Sequence, residues 1–83
     1  MLQRHKVFNV ILAFWRERNC SSTPRRGELR RQLRTNNIKM SRQTIQDHLL
    51  ALEKEGAISL DAGVIVLIRK VPYVDPAQVP LPN

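Results

Sequence analysis

The apolar residues of this chain change their spacing once, at Gly56, and that change constrains the fold more than any other feature. Before Gly56 they recur three and four residues apart, the period of helices that bury one face. After it they gather into two runs, Ala57-Ile58-Ser59-Leu60 and Val64-Ile65-Val66-Leu67-Ile68. Both are rich in the β-branched residues that fit a pleated surface. Asp61-Ala62-Gly63 between them predicts a short hairpin loop, with glycine where positive φ is needed. The chain reads as helices first and one hairpin last.

The helical part divides twice. Between Leu2 and Asn19, Val7, Ile11 and Phe14 share a face that Phe8, Leu12 and Trp15 broaden, so the other elements are expected to pack around this first helix. Asn19-Cys20-Ser21-Ser22-Thr23-Pro24 ends it, because turn formers cluster there and proline cannot continue a helix. A second helix is expected over Arg26 to Arg34, with Leu29 and Leu33 as its only buried pair. Thr35-Asn36-Asn37 then breaks the period, and Ser41 offers an N-cap for a third helix running to about Glu55. Ile45, Leu49 and Leu52 form its core face, with Leu50 and Ala51 flanking. Gly56 supplies the left-handed residue that commonly closes a helix. Residues 1–71 make the expected domain, and Pro72, Pro76, Pro80 and Pro82 predict an extended tail over 72–83.

A chain of 83 residues has room for one domain and little room for an enclosed active site. Cys20, the single cysteine, excludes an internal disulfide and a cysteine-based zinc site, and reads as incidental. His5 and His48 fall on different helices without the acidic or thiol neighbours of a metal site, and His48 reads as a surface or wing-packing residue. Gly27, Gly56 and Gly63 form no phosphate loop. No enzymatic activity, metal or cofactor is expected. The longest apolar run falls far short of the about 20 residues that span a bilayer, and Met1 to Arg4 leads into no apolar signal core. A cytoplasmic protein without membrane attachment is expected.

Charge adds direction. The net charge is +7, and residues 25–42 supply nearly all of it: Arg25, Arg26, Arg30, Arg31, Arg34, Lys39 and Arg42 stand against Glu28 alone. A merely solvated helix mixes signs, because like charges one turn apart repel. This cluster points to a polyanionic partner. Three helices and a hairpin in this order predict a winged helix-turn-helix, mainly α with a small β-hairpin, whose third helix enters the DNA major groove while the second crosses the backbone. Arg25, Arg26, Arg30, Arg31, Arg34 and Lys39 would then neutralise phosphates. Arg42, Gln43, Thr44, Gln46 and Asp47 would meet base edges, since arginine suits guanine, glutamine suits adenine and a carboxylate accepts from cytosine.

The stretch from Ser41 to Ile58 resembles the recognition helix and first wing strand of LexA repressors. His48-Leu49, Ala51-Leu52, Gly56 and Ile58 carry the likeness. Upstream, Pro24-Arg25-Arg26-Gly27-Glu28-Leu29 is similar to the family's approach to its second helix, and Val7-Phe8 to its first. The resemblance covers roughly Val7 to Ile68 and implies base contacts from Ser41, Gln43, Thr44, Gln46 and Asp47. Three features depart from it. Thr35 to Met40 is longer than the family's tight turn, the wing loop carries Asp61 and no basic residue, and no counterpart of the family's protease domain is present.

The resulting expectation is a small sequence-specific regulator of double-stranded DNA, repressor-like and of bacterial or phage type. One such module buries only about 600–1,000 Å² on DNA, so a homodimer on a two-fold site is expected, joined through the tail or the first helix. A winged-helix module that binds a regulator, a polymerase or a nuclease is the alternative. The near-neutral wing and the proline-rich tail, a candidate surface for a protein partner, favour it. Structured RNA would also be drawn to the same charge.

Overall fold

Three helices are followed by a two-stranded hairpin in the computed structural model, which describes residues 1–74: α1 (Gln3–Glu17), α2 (Arg26–Thr35), α3 (Arg42–Glu55), β1 (Ile58–Asp61) and β2 (Val64–Leu67). The order is the expected one and is compatible with a small winged-helix fold. Each boundary lies within two residues of the sequence expectation, and local hydrogen bonding explains where each falls.

All three helices end in the same way. The residue after the last turn takes a left-handed conformation at Asn19 (φ 54°), Asn37 (φ 60°) and Gly56 (φ 81°). The following amide then donates back across the turn: Cys20 to the Trp15 carbonyl at 2.9 Å, Ile38 to Leu33 at 2.8 Å and Ala57 to Leu52 at 3.0 Å. These are Schellman closures, which satisfy carbonyls left over at a helix end. Asparagine and glycine are the residues that enter the left-handed region most readily. At the other end of α3, the Ser41 hydroxyl accepts from the Thr44 amide at 3.2 Å, an N-cap of the expected kind.

The hairpin is tighter than expected. Asp61 pairs with Val64, so the loop is Ala62-Gly63 alone, and both residues have positive φ (50° and 81°). That is the backbone of a type I′ turn, whose twist matches that of the flanking strands. Along β2, Ile65 and Leu67 point into the core while Val64 and Val66 are exposed.

α1 packs against both α2 and α3, and α3 also carries β1. The core joins Val7, Phe8, Ile11 and Leu12 of α1 to Leu29 and Leu33 of α2, Ile45, Leu49 and Leu52 of α3, and Ile58, Ile65 and Leu67 of the hairpin. Burying side chains of this size contributes about 1.5–3 kcal/mol each against conformational entropy. Trp15 is half-buried at the edge of this core rather than inside it. Leu50, expected beside the core, is 48% exposed. The α2–α3 connection is long because it is anchored: Ile38 and Met40 both pack on the core.

Residues 72–74 have no regular secondary structure, as expected for the start of the tail, yet Tyr73 is tied to α1. The rest of the expected tail, including Pro76, Pro80 and Pro82, lies outside the described residues. No helix among the described residues is long and apolar enough to cross a membrane.

Candidate nucleic-acid interface

Leu29 and Leu33 fix the rotation of α2, and that rotation decides where its arginines go. With 3.6 residues per turn, Arg26, Arg30 and Arg34 form one row along the side that faces α3. Arg31 turns away from the row, stands 3.1 Å from Glu28 and is 76% exposed. The row continues across the connection. Arg30, Arg34 and Lys39 line one open groove of about 650 Å³ with Met40 and Ser41, at the N-terminus of α3. The Arg30 Nε is buried there without a hydrogen-bond partner among the described residues. Arg25 lies apart from this groove, beside the wing, together with Thr23, Val64 and Lys70.

Among the described residues, no Asp or Glu oxygen comes within 4.0 Å of Arg25, Arg26, Arg30, Arg34, Lys39 or Arg42. Several cations elsewhere make specific contacts. Arg4 and His5 both bond Glu55, Arg18 covers the Phe14 ring, Arg69 covers Tyr73 and Lys70 covers Trp15. Partial burial of the Glu55 carboxyl pushes its pKa up, but the hydrogen bonds and charges of Arg4 and His5 outweigh this and hold it below its ordinary value. Residues 25–42 carry a net +6 of the chain's +7, so the positive potential is concentrated on the α2–α3 side.

On α3, Gln43, Asp47 and Leu50 are exposed, and Arg42 and the half-buried Gln46 lie between them and the Ile45–Leu49–Leu52 seam, on the side of α2. The glutamine amide groups are already engaged within the protein. Arg26 Nε donates to the Gln46 Oε1 at 2.7 Å, linking α2 to α3. Gln43 Nε2 donates to the Asp47 Oδ1 at 3.0 Å, one turn along the helix. Arg26 and Arg42 line the same small hollow with Gly27 and Ile45. The Arg26 guanidinium also reaches the wing, lying 3.9 Å from where a Cβ on Gly63 would sit.

Ser41 and Thr44 do not join this surface in the same way. Their hydroxyls lie 2.9 Å apart and serve the helix cap. Leu50 is the surface residue that periodicity assigned to the core margin. Its signal was an apolar residue one turn beyond Gln46 and Asp47, on their side of the helix. In the last turn of α3, the Glu53 carboxylate accepts from the Leu60 amide at 2.9 Å and braces the wing against the helix. Comparison with protein-family models, with curated proteins and with solved structures yields no match.

Proposed function

We propose that this domain binds double-stranded DNA, with α3 in the major groove and Arg26, Arg30, Arg34 and Lys39 on the backbone beside it, as a small repressor-like regulator. The observation that carries this reading is the row of cations, without carboxylate partners among the described residues, running from the N-terminus of α2 to the N-terminus of α3. Phosphates would supply the missing counter-charges, and the groove beside Ser41 brings the positive end of the α3 dipole to the same place. The likeness of Ser41–Ile58 to LexA recognition helices supports the same role for α3. Two copies would bind a two-fold site. α1 turns its apolar stripe into the core, which leaves little of that helix for a dimer contact.

The exposed Val64, Val66 and Ile68 favour the second reading, a winged helix that docks on another protein. Fluorescence anisotropy against random-sequence duplexes at two salt concentrations separates the two. Binding that weakens steeply with salt and is lost in an Arg30→Ala/Arg34→Ala double variant supports DNA binding. No binding of the folded wild-type protein at moderate salt overturns it and favours the protein partner.

A further inference from the structure

The two glutamines of α3 have amide orientations fixed by the chemistry of their partners. The Arg26 guanidinium has only donors, so Gln46 must turn its carbonyl oxygen toward it and keep its NH₂ group for a ligand. The Asp47 carboxylate only accepts, so Gln43 must turn its NH₂ toward it and keep its carbonyl oxygen. The surface of α3 is therefore divided lengthwise. Arg42 and the Gln46 NH₂ make a donor flank next to the N-terminus of α2, where Arg42 and Arg26 line one hollow. The Gln43 carbonyl and the Asp47 carboxylate make an acceptor flank on the far side, and Leu50 lies between the flanks one turn on.

Resting on the DNA-binding reading above, we propose that this division sets the base preference of the domain. The site selects keto bases, guanine and thymine, on the strand under the donor flank, and amino bases, cytosine and adenine, on the strand under the acceptor flank. In the major groove guanine offers O6 and N7 and thymine offers O4, all acceptors, while cytosine N4 and adenine N6 are donors. Arg42 favours guanine on its flank, and Leu50 meets a thymine methyl. Arg42 to Leu50 spans roughly 12 Å of helix, or about three to four base pairs. A free glutamine would prefer adenine, pairing with it through both amide groups. Arg26 removes that option by holding the Gln46 oxygen, which makes Arg26 a positioning residue for specificity as well as a phosphate contact.

The test is selection from random-sequence duplexes, with sequencing of the bound fraction, for the wild type, Gln46→Glu and Arg26→Ala. Unfolding transitions confirm that each variant is folded. Gln46→Glu keeps an oxygen for Arg26 but replaces the outward donor with an acceptor. It is expected to shift one position from guanine or thymine to cytosine or adenine by at least about fivefold. Arg26→Ala frees the Gln46 oxygen and is expected to raise adenine at that same position, so it carries the test alone should Gln46→Glu fail to fold. Variants that keep the wild-type preference at every position while binding more weakly overturn the inference. A wild type that binds duplexes without any base preference also overturns it, while leaving the backbone contacts intact. Failure of the wild type to bind any duplex overturns the DNA-binding reading beneath it.

Discussion

The Asn9 carboxamide bonds both backbone groups of Tyr73, a residue 64 positions away. Its Nδ2 donates to the Tyr73 carbonyl at 2.8 Å and its Oδ1 accepts from the Tyr73 amide at 2.8 Å. The clamp holds the Tyr73 ring stacked on His5 at 3.7 Å and edge-on to Phe8. It extends the packed body through residue 73, where the sequence predicted an extended tail. Asn9→Ala leaves two partly buried backbone groups without partners, and should destabilise the fold by about 1–3 kcal/mol. Urea denaturation measures the loss, and faster hydrogen exchange at the Tyr73 amide locates it.

The phosphate row makes a graded prediction for salt dependence. Arg30→Ala, Arg34→Ala and Lys39→Ala should each lower the slope of log affinity against log salt by about one, because each removes one phosphate contact. Arg31→Ala should lower it by less than about half as much, because Glu28 already offsets that charge. Anisotropy titrations across a salt series decide. Equal slopes for all four variants would mean that the charge acts as a diffuse cloud rather than as a row.

Ala62 sits at φ 50° in a turn position that favours asparagine. Ala62→Asn should stabilise the hairpin by about 0.5–1 kcal/mol, raising Tm by roughly 2–8 °C in a domain of this size. Because Arg26 reaches the neighbouring Gly63, the variant also tests whether a stiffer wing changes DNA affinity. A Tm unchanged within error would show that the alanine is unstrained there.

Stability should fall in acid through Glu55. Arg4 and His5 hold its carboxylate below the ordinary value of 4.5, so its contribution is fully present above that value and disappears as the pH falls through the lowered folded-state value. Glu55→Gln should be less stable than the wild type at neutral pH, and the gap should close as the pH falls below 4.5 and through the lowered folded-state value. Urea midpoints measured from neutral pH down to about 3 provide the check. A gap that stays constant across this range would remove Glu55 from the acid response.

The sequence by itself determined every element that short-range hydrogen bonding can set. Asn19, Asn37 and Gly56 close the helices by bonds that span five residues, Ser41 opens α3 by a bond that spans three, and Gly63 completes a turn between paired neighbours. Side-chain type and spacing are enough to specify such bonds, because the groups that meet are held close by the chain itself. The site was legible only in part. Composition located the cations and the polar face of α3, but could not separate Arg30 from Arg31, or show that Gln46 is held by Arg26 and Gln43 by Asp47. The exposure of Leu50 and the docking of Tyr73 were hidden in the same way. Each of these depends on how α2, α3 and the last residues rotate and approach one another as they pack against α1. That rotation is set by the fit of Leu29, Leu33, Ile45 and Leu49 in one shared core, a property of the packed whole that no single stretch of sequence contains.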